Sequence, residues 1–126
     1  MSMTAQLLAF AEKDLENARL LLDNGSYRAC ISRAYYAMYY AAQALLDAKK
    51  IASRTHRGMI RQFGQHFVKS GDFPANMSKK LSEIYDLRQL SDYETDNVVD
   101  QEQASDALAT SADFVEQVRE YLERNG

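Results

Sequence analysis

One arginine stands where an apolar residue belongs. Met77, Leu81, Ile84, Arg88 and Ser91 fall on one helical face, within roughly 80 degrees. Arg88 therefore lies in the middle of a mainly apolar stripe, and a buried guanidinium is very unfavourable without a partner. Asp92 follows one turn later, close to the same face. Two readings stay open. One is a structural Arg88–Asp92 pair, worth a few tenths of a kcal/mol if exposed. The other is a stripe that opens onto a pocket or subunit interface, with Arg88 presented to an anion.

The other polar candidates are fewer. His56 follows Thr55 amid basic residues, where a neutral, hydrogen-bonded imidazole is expected rather than a catalyst. If the third helix packs beside the fourth, His56 and Arg88 converge. Tyr35, Tyr36, Tyr39 and Tyr40 crowd one segment at helical spacing that suits packing, with base stacking as the alternative. Tyr36 and Tyr40 share a face and could line a cleft with Arg33. His66 should be partly exposed. Two isolated histidines make no metal site, and no Glu-x-x-His pattern is present. There is no phosphate-binding glycine loop and no nucleophile elbow, so no cofactor is expected.

The elements that must position these groups read as helices throughout. The first is expected over Thr4–Asp23, on Leu8, Ala11, Leu15, Ala18 and Leu22, ended by Asn24-Gly25. The second runs from Tyr27 to Lys49 with Ser26 as N-cap; Ala34, Ala37, Ala41, Ala44 and Ala48 give it a small-residue seam. Ile31, Tyr35, Met38 and Leu45 add a second apolar face, which marks a helix buried in a bundle or shared with another subunit. The third follows Thr55 and reaches Val68. The fourth begins near Pro74 and ends at Tyr93. An acidic loop, Glu94 to Asp100, leads to a fifth over Ala104, Leu108, Ser111, Val115, Val118 and Leu122 to Arg124. Asp100 and Gln103 have capping-box spacing there. Short connections predict antiparallel neighbours, so the fold class is all-α, an antiparallel up-and-down bundle of about five helices.

The totals agree. The 126 residues suit one domain over 1–126. Hydrophobic residues at 46% and charged residues at 26% exclude a disordered chain. Cys30 is the one cysteine, so no internal disulfide forms, and its helical setting suits a small buried thiol. The start, MSMTAQLLAFAEKD, lacks the basic and long apolar parts of a signal peptide, and no apolar run approaches the ~20 residues of a membrane span. A cytoplasmic location is expected. The net charge of −3 is unevenly spread. Lys49, Lys50, Arg54, Arg57, Arg61 and Lys69 lie between Ala48 and Gly71 without an acid, whereas twelve acids stand against Arg88, Arg119 and Arg124 from Glu83 onward. The basic segment could meet a phosphate backbone, an acidic partner or the protein's own acidic part.

Three segments carry a resemblance. Ser32-Arg33-Ala34-Tyr35-Tyr36-Ala37-Met38-Tyr39-Tyr40-Ala41-Ala42 looks like the second helix of HEPN proteins. Thr55-His56-Arg57-Gly58, Phe63-Gly64 and Phe67-Val68-Lys69-Ser70-Gly71 resemble one prokaryotic branch of that family, and Asp86-Leu87-Arg88-Gln89-Leu90-Ser91-Asp92-Tyr93 resembles that branch's signature. The likeness runs over roughly residues 5–122. It implies a helical bundle that forms homodimers and is often encoded beside a minimal nucleotidyltransferase. Some such proteins are metal-independent ribonucleases in toxin–antitoxin or defence systems. Their catalytic signature is an arginine, four to six intervening residues, then a histidine, contributed by both subunits at a cleft. Arg88 matches the arginine, but Tyr93 stands five residues on, and no histidine lies within eight positions.

That departure has a chemical consequence. Ribonuclease work on a 2′-hydroxyl needs proton exchange near neutrality, whereas tyrosine titrates near ~10 and aspartate near ~4. Asp92 or a distant histidine would have to replace the missing one. Partner enzymes of related toxins adenylylate a tyrosine near the motif, and Tyr93 is the candidate acceptor by that analogy. The leading expectation is a dimeric module that binds RNA or nucleotide through Arg88, Asp92 and Tyr93, supported by His56, Arg33, Tyr36 and Tyr40. A metal-independent ribonuclease toxin and a purely structural dimeric adaptor are the alternatives.

Overall fold

In a computed structural model that describes residues 1–93 and 99–125, with Tyr93 described by its backbone, five helices follow one another and no strand occurs among the described residues. They are α1 (Met3–Asp23), α2 (Tyr27–Ala48), α3 (His56–Phe63), α4 (Ala75–Tyr93) and α5 (Gln101–Asn125). The expected class, a helical bundle of about five helices, is the observed one.

α2 is the central element and touches each of the other four helices. Its composition explains this. Ala34, Ala37, Ala41 and Ala44 are fully buried, and side chains this small let neighbouring helices approach closely. Ala48 is exposed, so the seam ends one turn earlier than its spacing suggested. Tyr35, Ile31, Met38 and Leu45 fill the other face with no exposure. Against the seam, Ser111 of α5 donates its hydroxyl to the Ala34 carbonyl at 2.6 Å. Cys30 lies fully buried, 3.8 Å from the Ala104 carbonyl, and behaves as a small core residue.

Helix ends follow local chemistry with one exception. Thr55 caps α3 by accepting from the Gly58 N–H at 2.8 Å. A Cβ on Gly58 would meet that hydroxyl at 2.7 Å, so the cap itself requires glycine there. Asp100 and Gln103 exchange backbone and side-chain bonds at 3.1 and 2.8 Å, the full capping box at α5. Ser26 is the exception: it precedes α2 but makes no side-chain cap bond. Of the Asn24-Gly25 pair, only Gly25 takes the left-handed conformation, at φ 75°.

α3 does not run on as an α-helix to Val68. From Gly64 to Val68 the chain widens into a π-helical turn, with Lys69 N–H bonded to the Gly64 carbonyl at 2.9 Å. Gly64 lies hard against α4, where a Cβ would come within 3.2 Å of the Ser78 hydroxyl. Phe63 and Phe67 both point inward and meet Phe73, Phe114 and Tyr121 in one aromatic cluster. The acidic loop expected from Glu94 lies outside the described residues apart from Val99 and Asp100.

Candidate functional site

The stripe of α4 is as its spacing predicts. Met77, Leu81, Ile84 and Ser91 are buried, and Arg88 sits among them with only 18% of its side chain exposed. Three contacts hold the guanidinium. Its Nη2 lies 3.2 Å from Asp92 Oδ2, and its Cζ stands 5.0 Å from the Tyr36 ring centre and 5.8 Å from that of Tyr35. Cation–π contacts of this kind contribute about 0.5–2 kcal/mol, more as water is excluded. Nε is buried without a hydrogen-bond partner among the described residues. Asp92 lies nearer the surface, its side chain 32% exposed against 18% for Arg88.

His56 is brought to the same place from another element. It opens α3, and its ring packs among Tyr35, Tyr36, Tyr39 and Tyr85, with the Tyr39 ring centre 4.9 Å away. Its Nδ1 lies 2.6 Å from the Tyr35 hydroxyl. Burial lowers the imidazole below its ordinary value, and the nearby Arg88 charge lowers it further. Burial, with the neighbouring tyrosines, pushes the Tyr35 phenol up, so it keeps its proton. That proton has His56 Nδ1 as its described acceptor. The assignment that satisfies both groups is a neutral imidazole protonated at Nε2, which makes Nε2 a donor.

A second buried charge adjoins them. Asp14 of α1 is 7% exposed and accepts from Arg33 Nη1 at 3.2 Å. Burial raises the Asp14 carboxyl more than Arg33 lowers it. The Arg33 Cζ also stands 4.9 Å from the Tyr36 ring, so Arg33 and Arg88 share that ring. Tyr36 passes contact to Tyr40 at 6.3 Å and Tyr40 to Phe10 at 5.5 Å, both as ring-centre distances. On the other side, Arg57 lies 5.3 Å from the Tyr85 ring, and Gln89 donates to the Tyr85 hydroxyl at 3.2 Å.

The structure thus gathers Arg88, Asp92, His56, Arg33, Tyr36 and Tyr40 around one aromatic floor. The Tyr93 side chain lies outside the described residues. Tyr35, Tyr85 and Asp14 belong to the cluster and were not singled out as site residues. A signal existed for two of them. Asp14 shares the face of Ala11, Leu15 and Ala18, the same anomaly that marks Arg88, and Tyr85 lies beside the α4 stripe, one turn from Leu81 and Arg88. Tyr35 gave no such sign, because a tyrosine on an apolar face reads as packing. Among the described residues no cluster of three metal-ligating side chains occurs.

The protein is a helical bundle in which α2, α3 and α4 bring arginines, tyrosines and His56 into one cluster. The HEPN domain matches residues 4–121, and the chain belongs to the HEPN family. A UPF0332 protein of Gloeobacter violaceus is 38% identical over 92% of this chain and 93% of its own length. A candidate toxin of Methanocaldococcus jannaschii is 34% identical over 92% of this chain and 86% of its own. Among solved structures, a Thermus thermophilus protein superposes with a TM-score of 0.76 at 20% identity, covering 96% of this chain and 99% of that one. An archaeal HEPN homologue follows at 0.74 and 18%, covering 94% and 97%. No described helix is long and apolar enough to cross a membrane.

Proposed function

We propose that this chain is a binding module of a toxin-like pair, engaging RNA or nucleotide phosphate at the Arg88 cleft as a homodimer beside a minimal nucleotidyltransferase. The observation that carries this reading is Arg88 itself. It is a mostly buried guanidinium with an unsatisfied Nε and a displaceable carboxylate in front of it. Relatives named as candidate toxins support the biological setting. On this reading Tyr93 is the residue the partner would modify, its hydroxyl attacking the α-phosphorus of ATP and releasing pyrophosphate. The test is binding of labelled total RNA by the purified protein and by Arg88→Ala at two salt concentrations. Binding that weakens at least tenfold in the variant is expected; unchanged binding, or none by either form, overturns the reading.

One observation favours a second reading, the metal-independent ribonuclease. His56 shares the Tyr35 and Tyr36 rings with Arg88, which supports reading it as the stand-in for the histidine missing from the spacing after Arg88. In such a reaction the 2′-oxygen attacks the adjacent phosphorus and loses its proton to a base. The 5′-oxygen departs with a proton, leaving a 2′,3′-cyclic phosphate. His56 serves as base only when its proton moves to Nδ1 and the Tyr35 oxygen accepts it. His56→Ala should then abolish cleavage while RNA binding persists. Cleavage that survives the substitution would remove His56 from the reaction.

A further inference from the structure

A groove of about 380 Å³ adjoins the Arg88 site, lined by Leu21, Arg28, Ala29, Ser32, Arg33 and Asp92. Its polar walls come from the first turns of α2, where positions four apart put Arg28 beside Ser32 and Ala29 beside Arg33. Ala29 is exposed and small, which leaves room for a ligand close to the helix. Asp92 joins the groove to the Arg88 site. Its carboxylate holds Arg88 at 3.2 Å, and its backbone carbonyl accepts from Arg28 Nη2 at 3.5 Å, the outer limit for such a bond. Two guanidinium groups are therefore anchored on one residue, from two different helices.

We infer that this groove is a second phosphate subsite, taking the neighbouring phosphate of a single RNA strand whose first phosphate lies at Arg88. The inference rests on the reading of Arg88 as a phosphate ligand and narrows its substrate class from nucleotide to polynucleotide. Charge favours it: Arg28, Arg33 and Arg88 stand against Asp14 and Asp92, and Asp14 is turned inward on Arg33. The positive end of the α2 backbone dipole lies at the same end of the groove. Arg28 is the exposed member, held by one long bond. Ser32 supplies a hydroxyl donor between the two arginines. Tyr36, carrying Arg33 and Arg88 on its ring, lies beside the path between the subsites.

The experiment compares fluorescent uridylate probes, a mononucleotide and an octanucleotide, on wild type, Arg28→Gln, Ser32→Ala and Arg88→Ala. Arg28 is exposed, so its substitution leaves the fold intact; Arg33 is avoided, because its loss would strand the buried Asp14. Arg28→Gln should weaken octanucleotide binding about five- to tenfold and lower the log–log salt slope by about 0.7, the loss of one single-strand phosphate contact. Mononucleotide binding should be unchanged. Ser32→Ala should show the same selectivity with a smaller loss and no change in slope. Arg88→Ala should weaken both probes. If Arg28→Gln binds the octanucleotide with wild-type affinity and slope while Arg88→Ala does not, the groove is no subsite and the Arg88 reading stands. If wild type binds neither probe, both fail together.

Discussion

At the scale of single residues, the site depends on His56, held away from its ordinary state by its neighbours, and on Asp92, which pairs with Arg88. His56 is lowered first by burial and then by Arg88. Arg88→Ala removes the charge and admits water, so the imidazole should titrate closer to its ordinary 6.5, as followed by NMR of its ring protons. An unchanged titration would mean that Arg88 and His56 do not communicate. The sign for stability follows from the same shift. The unfolded chain takes up the His56 proton before the folded one does. The contribution is therefore complete above pH 6.5 and is lost as pH falls below it, by less than about 1.4 kcal/mol per pH unit. Asp92 is the other lever. Asp92→Asn removes the carboxylate that competes with an incoming phosphate for Arg88. RNA affinity should rise, while stability to thermal unfolding falls by about 1–3 kcal/mol, because the mostly buried Arg88 loses its carboxylate partner. A fall in affinity would instead make Asp92 part of the binding surface.

At the scale of elements, caps and small residues decide where helices start and how closely they pass. Asp100 and Ser26 both precede a helix, and both are residue types that favour caps. Only Asp100 makes the bond, at 2.8 Å to the Gln103 N–H. Asp100→Ala should therefore cost about 1 kcal/mol in urea unfolding, whereas Ser26→Ala should cost nearly nothing. Equal losses would show that Ser26 caps α2 in solution. Helix identity and spacing were legible because periodicity and cap chemistry are local. The π-helical turn at Gly64–Val68 was not legible, because it occurs where Gly64 meets Ser78 of another helix. Ala48 misled for a related reason: spacing places it on the seam, yet α2 ends there and leaves it exposed among the described residues.

At the scale of the whole molecule, charge is divided between one basic segment and an acidic second half. The basic segment turns only partly on the protein itself. Lys49 pairs with Asp72 at 3.5 Å and lies over Phe67, while Arg54, Arg57 and Arg61 remain exposed. Arg57 leans on Tyr85, at the edge of the His56 cluster. Replacing these three arginines by glutamine should reduce the salt slope of RNA binding by up to about 2 and leave unfolding nearly unchanged. An unaltered slope would place the strand on the α2 side of the cleft alone.

The sequence by itself determined the helices, the buried stripe of α4 with Arg88 at its centre, the capping box and the family resemblance. The helices, the stripe and the capping box rest on neighbours three or four residues apart in one chain segment, and the resemblance on the order of short motifs along the chain. Only the tertiary structure decided which groups meet. His56 and Tyr35 lie 21 positions apart, yet their atoms stand 2.6 Å from one another. Asp14 reaches Arg33 across two helices, and Asp92 gathers Arg88 and Arg28 from α4 and α2. Such meetings depend on the angle and depth at which the helices pack. Those are set by the summed shapes of many buried side chains, not by the spacing within any one segment.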